Sequence, residues 1–539
     1  MCGFVLALND ADFDLHKHCD SIAYRGPTST KYYVDATIKC GFNRLAIVDS
    51  SQQSDQPIFD SDHRWMLLFN GEIYNYRELR AELESCYGYQ FKTQSDSEVL
   101  LIGLGYEGPG FVAKLNGIYA FIFVRLSDYS VMAGRDPFGV KPLFFTKKQS
   151  SYYFCSESKP LANIIGASLD RKSLALHLSS GSTMNGGSIY RNVLSVKPNS
   201  VILLNGGKIE EFEARPMDIY EGEEVASHER IIEQITASVE RQIPEVEFGL
   251  QLSGGIDSTL LLSMLNKSEL LAGTYAVNVD DAEMSEKYWQ DMALEYFRTD
   301  KQVRVVNLDS LNFHIKNLRD MMYNTDVPFF HPSFVGATNM AKQASDDGLK
   351  VLMSGEGADE IFLGYRWFFE DEPIRSIFEY APLKKLSQFL GVDEPDMSFL
   401  NEIDRIEFFQ KYYLQRWLAR SDLTGMRHSV EIRVPFLDME LVDAANKLSV
   451  AYKTKHGAKW ILKNHLLKKL PDEFVNRRKR GFDFPLNNWM QEDQISFLSD
   501  NKDLFEIDDE EIMQLHTSSD YRDKRLIFSL CSYALWSGR

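Results

Sequence analysis

Cysteine is scarce in this sequence. The 539 residues include six cysteines, which are Cys2, Cys19, Cys40, Cys86, Cys155 and Cys531. They form no CxxC pair, and none has the spacing with histidine that is typical of a zinc site. This distribution argues against structural disulfides and against a metal centre held by cysteine.

Long apolar runs and an excess of positive charge are also lacking. No apolar run approaches the roughly 20 residues that span a membrane, and FVLALND near the N-terminus is too short for a signal-peptide core and lacks a basic leader. We therefore expect a cytoplasmic protein without a membrane partner. The 59 Lys and Arg against 78 Asp and Glu give a net charge of -19, which disfavours nucleic acid. The local basic run RRKRG at 477–481 suits a smaller anion.

The length and the changing pattern predict two domains, because a single core seldom organises 539 residues. Residues 1–210 contain short alternating runs with Gly, Asp, Asn and Pro between them, which indicates a β-rich domain. The acidic, polar stretch at 211–225 predicts a linker. In 226–539, helical patterns alternate with the predicted strands EFGLQL, LAGTYAVNV, QVRVVNL and LKVLMSG, and helices dominate from about residue 366. This alternation favours a parallel sheet covered by helices.

A phosphate-binding loop is predicted in FGLQLSGGIDSTLLLSML, which passes from a strand through a glycine-containing loop into a helix. Main-chain amides of Ser253, Gly254 and Gly255 can face an anion there, and Ser258 adds a hydroxyl. Asp257 suits a divalent metal that bridges it to phosphate oxygens. The stretch lacks the Walker pattern GxxxxGK[ST]. SGGxDS instead resembles the PP-loop of ATP pyrophosphatases, which split ATP between the α and β phosphates and activate a carboxylate or carbonyl as its adenylate.

A second loop of the same type follows in KVLMSGEGADEIFLGY. Glu356 and Asp359 lie three residues apart at a predicted helix start, so both carboxylates would lie on one face. Two acids directed at one site repel each other unless a cation, a base or a proton offsets them. The arrangement favours metal-pyrophosphate binding and proton transfer.

The second residue is a candidate nucleophile. Removal of Met1 would leave Cys2 with a thiol and a free α-amine on one residue. The amine can take the proton of the thiol, which is mostly protonated at neutral pH. A cysteine at position 2 does not by itself establish a catalytic nucleophile, so the assignment depends on the other motifs of the sequence.

Short motifs over nearly the whole chain occur in the order of one family. In the N-terminal half they are MCGF, YRGP, GFNRLAIVD, FNGEIYNY, SDSEVLL, RDPFGVKPLFF and SESKPL. In the C-terminal half they are LSGGIDS, SGEGADEIFLGY, VEIRVPFLD, GAKWILK and RRKRGF. On these motifs the chain resembles the glutamine-dependent asparagine synthetases, in which a class II glutamine amidotransferase is joined to a PP-loop synthetase domain.

The resemblance implies two domains of the α/β and α+β classes. The first is an N-terminal nucleophile glutaminase domain of αββα type, and the second is a PP-loop α/β synthetase domain with a largely helical C-terminal part. In the implied glutaminase site, Cys2 is the nucleophile and Arg44 holds the substrate carboxylate with its planar guanidinium. Asn70 and Gly71 form the oxyanion hole. The residues implied to hold the substrate amine are Glu72 and Asp96.

The resemblance also assigns the synthetase site. The implied ATP-binding residues are Leu252, Ser253, Gly254, Gly255, Asp257, Ser258, Val277, Ser354 and Gly355. Asp257 and Asp359 would bind Mg²⁺ with the pyrophosphate of ATP. Glu356 would bind or deprotonate the incoming nitrogen nucleophile, and Lys479 would stabilise charge on the adenylate and during its breakdown.

The implied reaction has two halves. Cys2 attacks the glutamine amide, which releases ammonia and leaves a thioester that water hydrolyses. A carboxylate acceptor, for which aspartate is the first expectation, attacks the α-phosphorus of MgATP to give an acyl-adenylate and pyrophosphate. Ammonia then crosses an internal passage between the domains and displaces AMP. The expected partners are small molecules, and a homodimer stays open.

The sequence departs from the family pattern at two motifs. Tyr24 and Thr28 stand where the family usually writes the His and Asp of HRGPD, and Phe42 stands where it writes the His of GHRRL. Arg25 and Arg44 are retained. We expect glutaminase activity to survive, because the atoms that carry the chemistry remain.

Other functions stay open at this point. The same chemistry on a sugar acid or a peptide carboxylate, in polysaccharide or antibiotic biosynthesis, uses the same motifs. Relatives that close a β-lactam ring lack the N-terminal cysteine and carry Tyr at the position of Glu356, so the sequence disfavours ring closure. A non-catalytic glutamine or nucleotide sensor is disfavoured because Cys2, Asp257 and Glu356 are present. A stand-alone glutaminase is disfavoured because the nucleotide loop is complete.

Overall fold

The structure of the protein is a computed structural model that describes residues 2–49, 51–184, 186–217, 228–281, 283–369, 374, 382–401, 403–477, 481, 484–490 and 492–538. These residues form two halves, one built on two antiparallel sheets and the other on one parallel sheet. Within the described ranges, no helix combines the length and the apolar character needed to cross a membrane.

Twelve described strands build the N-terminal half. They are β1 (Cys2–Leu8), β2 (Ser29–Val34), β3 (Ile38–Arg44), β4 (Ile58–Phe59), β5 (Trp65–Ile73), β6 (Gly117–Arg125), β7 (Ser130–Arg135), β8 (Phe144–Lys148), β9 (Ser151–Cys155), β10 (Leu194–Ser195), β11 (Ser200–Asn205) and β12 (Lys208–Glu213). One sheet has the order β10-β8-β9-β1-β3-β2, and the other has the order β12-β11-β7-β6-β5-β4. The helices are α1 (Leu15–Asp20), α2 (Tyr76–Tyr87), α3 (Asp96–Glu107), α4 (Ser158–Ile165) and α5 (Arg171–Ser180).

The alternation of side chains along β1 shows how these layers stack. Phe4 and Leu6 belong to the core between the two sheets, whereas Val5 and Ala7 pack on the opposite face with residues of α1, α4 and α5. The second sheet likewise packs its outer face against α2 and α3. The layers are therefore helix, sheet, sheet and helix, which confirms the predicted αββα fold.

The predicted boundary at residue 210 falls inside a strand. β12 continues to Glu213 and pairs antiparallel with β11, although all six of its residues are exposed. An exposed edge strand buries no face, so KIEEFE lacks the apolar alternation by which a strand is recognised in a sequence. Of the predicted linker at 211–225, residues 218–225 lie outside the described residues.

The second half is built on a parallel sheet of five described strands with the order β15-β14-β13-β16-β17. They are β13 (Phe248–Gln251), β14 (Leu271–Val279), β15 (Gln302–Leu308), β16 (Val351–Met353) and β17 (Glu431–Arg433). The first four match the predicted strands. The fifth was not predicted, because a strand of three residues with the sequence EIR has no apolar run; both of its charged residues are buried.

Helices cover both faces of this sheet and continue beyond it. They are α6 (His228–Gln242), α7 (Ile256–Leu265), α8 (Lys287–Tyr296), α9 (Ile315–Met322), α10 (Ser333–Asp346), α11 (Ala358–Ile361), α12 (Leu383–Phe389), α13 (Arg405–Phe408), α14 (Leu414–Arg427), α15 (Met439–Asn446), α16 (Val450–Lys453), α17 (Trp460–Leu466), α18 (Asp472–Val475), α19 (Leu486–Trp489), α20 (Glu492–Asp500), α21 (Asp509–Thr517) and α22 (Tyr521–Trp536). Leu250 of β13 packs with residues of α6 and α7, and Leu352 of β16 packs with residues of α10. The predicted helical C-terminal part is confirmed.

Candidate active site

Cys2 is the first residue of β1 and pairs in register with Arg44 at the end of β3. Its main-chain nitrogen donates a hydrogen bond to Oδ1 of Asn70 on β5 (2.8 Å). Burial raises the pKa of the Cys2 thiol, and a hydrogen bond from the main chain of Leu45 and the nearby Arg44 charge oppose this rise. The thiol therefore needs a base, and the nitrogen held by Asn70 is the adjacent candidate. Met1, whose removal would free that nitrogen, lies outside the described residues.

Asn70 also directs a hydrogen-bond donor into this site. Its side chain is buried, and within the described residues Nδ2 has no hydrogen-bond partner. A buried amide without a partner costs about 1–3 kcal/mol, so its retention suits a group that bonds in the presence of substrate. Gly71 follows with φ of +152°, and a Cβ there would lie 2.1 Å from the carbonyl oxygen of Ile118 on β6. Only glycine lets β5 and β6 approach this closely beside Asn70.

The side chain of Arg44 points towards the loop after β3. One guanidinium nitrogen, Nη1, donates to Oδ1 of Asp55 (2.7 Å) and to the carbonyl oxygen of Ser51 (2.8 Å), and Nη2 contacts the carbonyl oxygen of Asp49. Arg44 is buried, so these bonds satisfy and fix the charge. The arrangement places a fixed cation beside Cys2.

Glu72 and Asp96, the two predicted amine-binding carboxylates, are both buried near Cys2. Burial raises the pKa of Asp96 to about 6, and Oδ2 of Asp96 accepts a hydrogen bond from the main-chain nitrogen of Ile73 (3.0 Å). Burial also raises the pKa of Glu72, and the Arg433 guanidinium opposes this rise through an ion pair with Glu72. Arg433 belongs to β17, so the second half of the chain contributes a charge to this pocket.

The loop with Tyr24 and Thr28, where the sequence departs from the family pattern, is anchored by buried hydrogen bonds. Arg25 donates through Nε to the carbonyl oxygen of Cys2 (3.2 Å), through Nη1 to Glu157 (3.2 Å) and through Nη2 to Asp422 of α14 (2.8 Å). Tyr24 donates its hydroxyl to the same Glu157 (2.6 Å). The tyrosine thus completes a buried ion network between the two halves of the chain.

The PP-loop has the shape of an anion cradle. Gly254 has φ of +76°, which only glycine adopts freely, and Gly255 caps the N-terminus of α7. The hydroxyls of Ser253 and Ser258 lie 3.0 Å apart, and the main-chain nitrogen of Gly255 donates to Oγ of Ser253 (3.2 Å). Main-chain amides and two hydroxyls therefore converge where a phosphate would bind.

The second nucleotide loop, Ser354–Asp359, packs directly against the PP-loop. A Cβ on Gly355 would lie 2.9 Å from Cβ of Asp257. Asp257 and Asp359 converge on one cation, because Nζ of Lys459 lies 2.6 Å from Oδ2 of Asp257 and 2.7 Å from Oδ1 of Asp359. Two convergent carboxylates are the oxygen ligands that suit Mg²⁺ bound with phosphate groups, so these residues fit the predicted ion.

Lys459 is a functional candidate that sequence reasoning missed. Burial disfavours its charged form, yet Asp257 and Asp359 outweigh burial and raise the pKa of its ammonium. It lies at the N-cap of α17 with φ of +54°, an uncommon conformation for a lysine. The signal was present as GAKWILK, a motif of the resemblance to which no role had been given. Lys479, the lysine selected instead, lies outside the described residues.

Glu356 is fixed by α14. Both of its carboxylate oxygens accept from Oγ of Ser421 (2.8 Å each), and Arg420 forms an ion pair with it. Asp422, the next residue of α14, bonds Arg25 of the glutaminase half. One helix turn thus contacts both Glu356 and the network around Cys2.

Leu252 and Val277, the predicted adenine contacts, lie at the carboxyl ends of β13 and β14. The main-chain nitrogen of Leu252 donates to the carbonyl oxygen of Tyr275 (2.8 Å), which ties the two strands together beside the PP-loop. Both side chains are buried. Ser354 accepts at Oγ from the main-chain nitrogen of Glu356 (3.3 Å). The ATP-binding residues predicted from the sequence therefore lie at one edge of the parallel sheet, where such sheets bind ligands.

A cavity of about 500 Å³ lies between the halves, lined in part by Arg25, Glu157 and Asp422. Neither Cys2 nor Glu356 is among its described lining residues. Gln415 and Ala419 of α14 line it, whereas Arg420 and Ser421 on the other side of the helix contact Glu356. The cavity therefore lies behind α14 as seen from Glu356 and is separate from the nucleotide loops.

Comparisons with known proteins assign both halves. A glutamine amidotransferase domain model matches residues 1–214, and an asparagine synthase model matches residues 230–517, which is more than half of the chain. The two models define a class of enzyme in which a glutamine amidotransferase domain is joined to an ATP-dependent synthetase domain. The chain belongs to the asparagine synthase family. It is a ligase of the glutamine-hydrolysing asparagine synthetase type, and ATP use follows from the family.

Individual relatives agree with this assignment. Asparagine synthetase [glutamine-hydrolyzing] 1 of Bacillus subtilis is 28% identical, with 91% of this chain and 88% of the relative covered. Asparagine synthetase B of Escherichia coli is 25% identical, with 85% of this chain and 76% of the relative covered. Among solved structures, the glutamine phosphoribosylpyrophosphate amidotransferase of B. subtilis matches with a TM-score of 0.31 and 15% identity, over 56% of this chain and 65% of that chain.

Proposed function

We propose that this enzyme makes asparagine from aspartate, using nitrogen from glutamine and energy from the cleavage of ATP to AMP and pyrophosphate. The observation that carries the proposal is the meeting of Asp257, Asp359 and Lys459 beside the loop of Glu356, on the same chain as the Cys2 and Asn70 pair. The choice of aspartate is supported by the names of the relatives that cover most of the chain. Glutamine hydrolysis belongs to the N-terminal domain, and synthesis belongs to the domain from about residue 226.

In the first half-reaction, the Cys2 sulfur attacks the amide carbon of glutamine while the α-amine of Cys2 takes the thiol proton. The carbonyl oxygen becomes an oxyanion that accepts from Nδ2 of Asn70 and the main-chain nitrogen of Gly71. The α-ammonium of Cys2 then returns this proton to the leaving nitrogen, so that collapse of the intermediate releases ammonia and leaves a thioester. Water hydrolyses the thioester to glutamate and restores the thiol. Arg44 binds the carboxylate of glutamine, and Glu72 with Asp96 binds its ammonium.

In the second half-reaction, a carboxylate oxygen of aspartate attacks the α-phosphorus of ATP and pyrophosphate leaves. Amides and hydroxyls of the PP-loop hold the pyrophosphate oxygens, and the Lys459 ammonium offsets their charge. Asp257 and Asp359 would hold Mg²⁺, which would supply further neutralisation of the negative charge on the pyrophosphate. Glu356 accepts a proton from the ammonia that displaces AMP, and Lys479 of the basic run stabilises the departing charge.

Ammonia must travel from Cys2 to Glu356 without entering bulk water, where protonation would end its reactivity as a nucleophile. An internal passage between the domains meets this need. Arg25 supports such a path, because it contacts the carbonyl oxygen of Cys2 and also α14, the helix that holds Glu356.

The test supplies the purified enzyme with glutamine and MgATP together with one acceptor from a panel, and follows AMP, pyrophosphate and amide product by mass spectrometry. With aspartate, equal amounts of AMP, pyrophosphate and asparagine are expected. Turnover with a sugar acid or a peptide carboxylate, and none with aspartate, would contradict the choice of acceptor. Nucleotide binding without AMP formation with any acceptor would instead favour a sensor.

A further inference from the structure

Arg433 is a buried residue of the synthetase half whose side chain contacts Glu72 of the glutaminase half. Arg433 is the last residue of β17 and forms an ion pair with Glu72 of β5. Both residues are buried. Nε donates to Glu431 (2.7 Å), and Nη1 donates to the carbonyl oxygen of Gln242 at the end of α6 (2.8 Å). One bond within β17 and one bond to α6 thus hold the guanidinium where it meets Glu72.

The main chain of Arg433 is equally fixed. It pairs in register with Met353 of β16, and its carbonyl oxygen accepts from the main-chain nitrogen of Ser354 (2.9 Å). Ser354 is the first residue of the second nucleotide loop. Arg433 therefore lies between the nucleotide loop and the pocket that the proposed function assigns to glutamine.

Glu72 needs a cation to remain an anion in this pocket. Burial raises its pKa, and Glu431 of β17 and Asp96 of α3 raise it further by repulsion; Arg433 is the strongest opposing influence. Tyr74, which follows on the same chain segment, is also buried and faces the same charges. An ammonium group binds an ionised carboxylate far better than a neutral carboxyl. The ionised form of Glu72, which suits the ammonium group of glutamine, is thus favoured by Arg433 of the other domain.

We propose that Arg433 is a positioning residue of the glutamine pocket, which pairs with Glu72 and orients its carboxylate for the ammonium group of glutamine. The inference rests on the proposed role of Glu72 in glutamine binding. Under it, the isolated glutaminase domain has an incomplete pocket, because the synthetase strand β17 supplies the counter-charge. Arg433 itself does not touch the reacting amide.

The test is a double-mutant cycle on the full chain with glutamate release as the readout, which does not depend on the acceptor. Arg433→Gln and Glu72→Gln should each raise KM for glutamine about 10-fold or more, while kcat changes less than about 3-fold. The double variant should be no worse than the worse single variant, because Arg433 acts through Glu72. Arg433→Lys should restore part of the affinity, since it returns the charge without the planar fork.

The pH dependence gives a second readout. Loss of the Arg433 charge moves the pKa of Glu72 upwards, so the midpoint at which 1/KM rises with pH should lie higher in Arg433→Gln than in the wild type. Arg241→Gln removes another ion pair of the same domain, with Asp438, and serves as the matched control. It should leave both KM and the midpoint unchanged.

Three results would overturn the proposal: multiplicative effects in the double variant, a fall in kcat at constant KM, or equal effects in the Arg241→Gln control. Thermal unfolding and calorimetric ATP binding of each variant distinguish these changes in KM and kcat from a folding defect. If Arg433→Gln does not fold, Arg433→Lys keeps the test usable. A wild-type protein that releases no glutamate would refute the proposed function, which is distinct from a failure of the Arg433 proposal.

Discussion

At the scale of single residues, Asn70 and Lys459 have features that folding alone does not explain. Asn70 keeps a buried amide nitrogen without a partner in the described structure, beside the nitrogen of Cys2. Lys459 adopts a left-handed backbone conformation, and its ammonium forms ion pairs with Asp257 and Asp359. Both arrangements cost stability, and both place a donor where negative charge develops in the proposed reaction.

Asn70→Asp tests the oxyanion role. The variant keeps an oxygen that accepts from the Cys2 nitrogen but loses the Nδ2 donor. We expect kcat for glutamate release to fall by about 10²–10³, as when one oxyanion donor is lost elsewhere. Steady-state assays of glutamate release, with calorimetric ATP binding as the control for folding, check this. A fall of less than about 3-fold would remove Asn70 from the oxyanion hole.

Lys459→Met tests the cation between the two nucleotide loops. The variant leaves Asp257 and Asp359 facing each other without their ammonium partner. We expect AMP formation to fall by at least about 10²-fold, while glutamate release persists because Cys2, Asn70 and Gly71 lie in the other domain. Lys455→Met, an exposed lysine of the same segment, is the matched control. Equal rates of AMP formation in both variants would show that Lys459 has no role in the synthetase reaction.

At the scale of elements, periodicity and loop chemistry make part of the fold predictable from the sequence. β13, the PP-loop and α7 were predicted because an apolar strand, glycines and an apolar helical continuation succeed one another. β12 and β17 were not, because an exposed edge strand and a three-residue charged strand carry no apolar pattern. Lys459 and Arg433 were missed for a related reason, since the carboxylates that give them their proposed roles are 100 or more residues away in sequence, namely Asp257 and Asp359 for Lys459 and Glu72 for Arg433. Such contacts exist only in the folded chain.

The β5–β6 pair gives a prediction at this scale. Gly71→Ala would place a Cβ 2.1 Å from the carbonyl oxygen of Ile118. We expect a loss of about 3 kcal/mol in the free energy of unfolding and loss of glutamate release, because the strands must move apart beside Asn70. Gly88→Ala, at the C-cap of α2 with φ of +64° and open space around it, is the control and should cost about 1 kcal/mol. Similar unfolding curves for the two variants would refute the close-approach argument.

At the scale of the whole molecule, two buried charge networks among the described residues join the domains. One runs from Tyr24 and Arg25 to Asp422 of α14, with Glu157 between them. The other joins Glu72 to Arg433 of β17. Buried ion pairs are sensitive to the loss of one partner, so they fix how the glutaminase domain sits on the synthetase domain.

Glu157→Gln tests the first network through its pH dependence. Burial raises the pKa of Glu157 from 4.5 to about 7. The folded protein thus binds this proton more tightly than the unfolded chain, and the resulting stability is present below the unfolded pKa and lost as pH rises through 7. Between about pH 5 and pH 8, the Tm of the wild type should fall by about 2–4 °C more than that of the variant. If calorimetry shows that the Tm of the wild type and the Tm of the variant fall equally over this pH range, the raised pKa of Glu157 is contradicted.

The most direct test of the account tracks the nitrogen atom. The enzyme receives glutamine labelled at its amide nitrogen, MgATP, aspartate and an excess of unlabelled ammonium, and the label in the amide product is measured by mass spectrometry. We predict that the wild type gives a product labelled well above the bulk ammonia pool, and that Cys2→Ala gives an unlabelled product. Product labelled only to the level of the bulk pool would contradict direct transfer from Cys2 to the synthetase site.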